Sequence, residues 1–157
     1  MTVYFVTVHL VRKSEPMARE PGLVPELSVT DLATSQRFWC DLLGFVVKYA
    51  RLDEGFAYLV LGEAHLMLDQ AGLGRTWITA ALKAPLGRGV NFQLAVPDLE
   101  PVLGRLNAAG WPLFGGVEER WYRTGAKETG VSQFLVQDPD GYLVRPQQTL
   151  GSRPAQD

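Results

Sequence analysis

Few side chains here are of the types that do chemistry, and their spacing narrows the choice further. There are two histidines, His9 and His65, and one cysteine, Cys40. A catalytic thiol needs a base to draw off its proton. No histidine stands near Cys40 in "SQRFWCDLLGF", so among its apolar neighbours it reads as a small buried hydrophobe. His65 lies on a strand-like run, "EAHLMLD", with Asp69 as the other nearby metal-binding type, and two such residues do not make a site. Asp138 and Asp140 could pass for a paired acid and base, but "DPDG" is sufficient as turn chemistry. That leaves Arg145, four residues past the turn glycine Gly141 and directly after Tyr142-Leu143-Val144. A guanidinium on an apolar strand is costly unless its charge is met. Either a carboxylate of the chain or a ligand must meet it.

Aromatic residues are the second signal, with four Trp, five Tyr and seven Phe. In "EERWYR" (118–123), Trp121 and Tyr122 sit in a loop-like stretch between charges of both signs. Such a pair suits stacking on a planar, polar, partly cationic molecule. The plainer alternative is that Trp121 plugs the core beneath a long loop.

An internal repeat supplies the elements that must position these residues. "ELSVTDLATSQRFWCDLLGF" (26–45) and "QLAVPDLEPVLGRLNAAGW" (93–111) share a β-rich opening, Val-x-Asp-Leu and a helical stretch. Asp31 and Asp98 suit helix N-cap or turn positions, Gly44 and Gly110 suit the left-handed residue after a helix, and Phe38, Leu42 and Leu43 form a buried stripe. Three strand-like runs follow each helix: 45–50, 56–61 and 64–70, then 111–119, 131–138 and 142–148. The expected fold is α+β, two tandem βαβββ modules (about 23–70 and 90–148) whose curved, mixed sheet makes a cleft. They form a single domain over 21–150, with a glycine-rich connection at 71–89 and a frayed tail at 151–157. Residues 1–20 read as an extension, an extra strand or a loose tail; alternatively, Met17 is the natural start. Their apolar run is far shorter than the roughly 20 residues that span a bilayer, and its charges follow it rather than precede it.

Composition excludes several classes. With 15 basic and 17 acidic residues the chain has no basic stripe, so no nucleic-acid partner is expected, and no membrane either. One cysteine allows no internal disulfide, and a cytoplasmic protein is the default.

The element order, "VTDLATSQRFWCDLLGF" and the closing hairpin "FLVQDPDGYLVR" resemble the vicinal oxygen chelate superfamily of glyoxalases, dioxygenases and bleomycin-resistance proteins. Enzymes of that superfamily hold a divalent metal through His, Gln or Glu. The corresponding positions here are Val24, Met67 (within about two residues), Asn91 and Arg145. Valine cannot bind a metal, asparagine binds transition metals poorly and arginine is a fixed cation. The resemblance therefore implies no metal, no cofactor and no catalytic residue. It points to the bleomycin-resistance group: homodimers that sequester an aromatic, polar drug in clefts between subunits. On that reading Tyr49, Phe56, Trp121, Tyr122, Phe134 and Arg145 contact the small-molecule ligand. Gly130 stands where well-studied binders carry a tryptophan. The alternative is a glyoxalase- or dioxygenase-like enzyme with an atypical site, in which Arg145 orients an anionic substrate.

Overall fold

Alternation decides which side of each strand is buried, and in this chain both sheets bury the side that faces their helices. The computed structural model describes residues 21–74 and 77–155; the expectations for residues 1–20 lie outside them. The first module runs β1 (Glu26–Val29), α1 (Leu32–Gln36, continued by wider turns over Arg37–Leu42), β2 (Val46–Arg51), β3 (Phe56–Leu61) and β4 (Ala64–Gln70). The second runs β5 (Asn91–Ala95), α2 (Glu100–Ala108), β6 (Leu113–Thr124), β7 (Lys127–Gln137) and β8 (Leu143–Pro154). Each forms a four-stranded mixed sheet, in the orders β1-β4-β3-β2 and β5-β8-β7-β6. In both, the opening strand pairs parallel with the last and the remaining pairs are antiparallel. These are the two expected βαβββ modules.

Leu27, Val29, Ala57, Leu59, Leu66 and Leu68 of the first sheet join Phe38, Trp39 and Leu43 in one core cluster. Leu94, Phe134, Val136 and Val144 of the second sheet join the same cluster with Leu99, Val102 and Leu106. The modules thus share a core between their helix-facing sides, and their other faces are turned away from it. Truncating a residue as large and buried as Trp39 costs about 3–5 kcal/mol.

Local signals mostly hold. Asp31 caps α1 by accepting from the Thr34 N–H, and Gly44 takes φ +93° where the helical stretch ends. Asp98 takes the turn position just before the cap: its carboxylate accepts from the Glu100 N–H, while Leu99 occupies the N-cap position. Cys40 is half-buried against the core, and burial pushes its thiol above the ordinary range, with the Asp41 charge adding to the effect.

Two expectations change. "EERWYR" is not a loop but the outer half of β6, and residues 151–154 of the tail belong to β8, which continues to Pro154. The reason is one ladder: Trp121 to Thr124 pair with Gly130 to Lys127, which pair in turn with Gly151 to Pro154. Backbone hydrogen bonds on both sides of β7 hold these polar residues extended.

The turn 138–141 does more than reverse the chain. Asp138 accepts from the Asp140 and Tyr142 N–H groups at 3.0 and 2.8 Å. Asp140 reaches into the first module, accepting from the Thr30 N–H and hydroxyl (3.1 and 2.6 Å) and the Ser35 hydroxyl (3.3 Å). The Tyr142 hydroxyl donates to the Ser28 carbonyl at 3.0 Å, and burial pushes its pKa up to about 12, with the two aspartate charges adding to the rise. The connecting segment seals the joint: Leu86 N–H donates to the Asp140 carbonyl, and a Cβ on Gly87 would stand 2.6 Å from Tyr142 Cα.

Candidate functional site

Period-two alternation that buries Phe134 and Val136 turns Gln133 and Leu135 to the other face of β7. Cross-strand register then builds a polar floor. Gln133 pairs with Glu118 on β6 and Gln147 on β8, while Arg145 pairs with Gln93 on β5. Asn91, Glu118, Tyr122, Gln133, Leu143 and Arg145 line a cleft of ≈ 430 Å³ over this floor, and none of its lining residues comes from the first module.

The cleft is a hydrogen-bonded array. Gln133 donates its amide to the Glu118 carboxylate (2.9 Å) and to the Tyr122 hydroxyl (3.0 Å). Arg120 pairs with the other Glu118 oxygen at 2.8 Å. The Gln133 amide, then Arg120, hold the Glu118 carboxyl below its ordinary range. Arg145 donates to the Gln93 side-chain carbonyl at 2.7 Å. Among the described residues no carboxylate pairs with Arg145. The internal salt bridge that the sequence left open is therefore not found there.

A second surface lies on the outer face of the first sheet. Tyr49 stacks on Tyr58 with ring centroids 5.1 Å apart, and Phe56 lies 6.0 Å from Tyr49. Arg51, held by Glu54 at 2.6 Å, covers the Phe56 ring 3.9 Å from its centroid. Phe56 is consequently 3% exposed, whereas Tyr49 is 46% exposed and offers the open ring. His65 shares a hydrogen bond with the Tyr58 hydroxyl at 2.8 Å.

The six residues expected at the ligand are thus distributed. Tyr122 and Arg145 meet in the cleft; Tyr49 and Phe56 meet on the other sheet. Phe134 turns into the core at 1% exposure. Trp121 and Tyr122, being adjacent on a strand, point to opposite faces. Trp121 lies over Gly130, and Arg153 stacks on its indole at 4.0 Å while pairing with Glu128 at 2.8 Å. Gln133, Glu118 and Gln93 are the cleft residues that sequence reasoning missed. Their polar alternation with Phe134, Val136, Phe92 and Leu94 was visible, but an ordinary solvated face reads the same way.

The residues at the metal positions implied by the resemblance do not fit a divalent cation. Arg145 brings a positive charge, Asn91 a neutral amide and Met67 a thioether. Among the described residues no three His, Cys, Asp or Glu side chains come together to hold one.

The Glyoxalase/Bleomycin resistance protein/Dioxygenase superfamily model matches residues 23–145. A superfamily member from Vibrio splendidus 12B01 is 41% identical, over 80% of this chain and 95% of that one, with a TM-score of 0.36. Virulence protein STM3117 from Salmonella typhimurium is 22% identical, over 84% and 98%, at a TM-score of 0.59. TioX from Micromonospora sp. ML1 is 21% identical, over 82% and 98%, at a TM-score of 0.63. No curated protein matches in sequence. No helix among the described residues is long and apolar enough to cross a membrane.

Proposed function

Because the chain belongs to the glyoxalase/bleomycin resistance protein/dioxygenase superfamily, we propose that it uses the superfamily's cleft to bind a small aromatic, polar ligand without a metal. The observation that supports this most is Arg145. It stands where the resemblance expects a ligating carboxylate, and among the described residues it hydrogen-bonds Gln93 rather than an acid. A fixed cation there repels a metal and attracts a ligand acceptor. Glu118, the acid that lines the cleft, is held by Gln133 and Arg120, so retention of the ligand is favoured over its conversion.

The working unit on this reading is a homodimer in the cytoplasm. Both sheets end in edge strands that expose apolar residues, Val46 (61%) on β2 and Phe114 (62%) on β6. Exposed apolar edges invite another chain. A dimer that sets the Tyr49 face of one chain against the Arg145 cleft of its partner supplies a stacking ring and a polar floor together. Drugs of the bleomycin class meet the description and are the first probes. The test is a tryptophan-fluorescence titration with metal-free and copper-loaded bleomycin, on protein assayed for bound metal, with light scattering for subunit number. Saturation at one drug per chain supports sequestration. No response removes the bleomycin class, and stoichiometric metal in the purified protein overturns the metal-free reading.

A further inference from the structure

Among the described residues, two buried side-chain atoms lack a hydrogen-bond partner, Gln133 Oε1 and Arg145 Nε. Both belong to residues that line the same cleft. Buried polar atoms are nearly always paired, so two orphans in one cleft ask what would complete them. The orientation of Gln133 is fixed by chemistry. The Glu118 carboxylate can only accept, so the amide nitrogen must face it and Oε1 is left as an acceptor. Gln133 is 5% exposed, and its carbonyl needs a donor. Arg145 needs an acceptor for Nε–H. The Tyr122 hydroxyl accepts from Gln133 and keeps its own proton to give.

Charge narrows the class. Glu118 is compensated by Arg120, whereas among the described residues Arg145 has no carboxylate partner, so the cleft carries one unmet positive charge. We propose that it takes a carboxylate flanked by an N–H donor, the head group of a free or N-acylated amino acid. The carboxylate meets the Arg145 guanidinium and the Tyr122 O–H; the N–H meets Gln133 Oε1. Gln133 and Arg145 are diagonal neighbours on adjacent strands, about 7–8 Å apart at that offset, a span their long side chains and a head group of this size close. A bare anion leaves Gln133 Oε1 facing another acceptor. A neutral amide leaves the Arg145 charge unmet. Both orphan atoms are shut from solvent, so the entering group parts the side chains over them. The inference rests on the ligand-binding reading above and names the head group that reading leaves open.

Amide chemical-shift titrations of the whole protein with three probes test it: N-acetyltryptophan, its uncharged carboxamide, and indole-3-propionate, which keeps the acid and the indole and lacks the amide N–H beside the carboxylate. N-acetyltryptophan should bind roughly tenfold tighter than the carboxamide and about fivefold tighter than indole-3-propionate. Arg145→Gln should erase the first preference, and Gln133→Leu the second but not the first. Tyr122→Phe, at an exposed position, should weaken the two acids several-fold and the carboxamide little. Equal binding of all three probes overturns the head-group assignment and leaves ligand binding standing. No saturable shift with any probe at millimolar concentration overturns both.

Discussion

The Trp39 indole N–H donates to the Asp138 carboxylate at 3.3 Å, joining the first helix to the closing hairpin across 99 positions of sequence. The carboxylate it meets is buried, and burial raises the Asp138 pKa from 3.8 to about 6, with the Asp140 charge adding to the rise.

Asp138 therefore sets a pH dependence of stability. Its folded pKa lies above its unfolded value, so the folded state holds the proton more tightly. Its contribution to stability is greatest below about pH 4 and falls as pH rises to about 6, by about 3 kcal/mol for a shift of this size. Asp138→Asn should remove this component from urea-unfolding free energies measured from pH 4 to 7. An unchanged slope would refute the assignment.

Asp140 fastens the modules to each other. Asp140→Ala leaves the Thr30 and Ser35 donors without their acceptor and should lower unfolding free energy by on the order of 3 kcal/mol. Urea denaturation followed by tryptophan fluorescence measures it. A loss under 1 kcal/mol, a bound well below the range for charged hydrogen bonds, would mean that the core alone joins the modules.

Tyr49 and Phe56 should separate affinity from stability. Tyr49→Ala removes the open ring and should weaken an aromatic ligand roughly tenfold, a typical stacking contribution, with a small change in Tm. Phe56→Ala empties a buried site and should cost about 3–5 kcal/mol of stability. Calorimetry on both variants decides, and the reverse pattern would place the stacking ring at Phe56.

Trp121 should behave as a structural residue of the outer ladder. Trp121→Ala should lower Tm and leave ligand affinity within about twofold, since Tyr122 and not Trp121 shares the Arg145 face. Gly130→Ala should mimic the stability loss, because its Cβ would lie 2.7 Å from the indole. A large affinity loss in Trp121→Ala would show that ligand reaches the far side of the sheet.

The module plan was legible because it is written twice, in Val29-Thr30-Asp31-Leu32 and Val96-Pro97-Asp98-Leu99, each followed by a helical stretch and three strand-like runs. The outer half of β6 was not, since residues 118–123 alternate charge and aromatic character in a way that suits a loop equally well. Only pairing with 128–133 makes them a strand, and the run 118–123 read by itself does not show that pairing. The same gap hid Gln133, whose importance depends on Glu118 and Tyr122 across the ladder. Arg145 could be singled out by its apolar neighbours, but its actual partner, Gln93, lies 52 positions away. Asp138 and Asp140 were explained by turn chemistry, and that sufficient explanation concealed their second task.

That second task has a bearing on how the chain is made. Thr30 and Ser35 emerge early from the ribosome, while the carboxylate that satisfies them belongs to Asp140. Trp39 likewise waits for Asp138. The first module leaves the exit tunnel with its joint unfastened, and neither half completes its core alone. The joint between the modules can close only once the closing hairpin has been made, and apolar surface left open until then favours association with other chains.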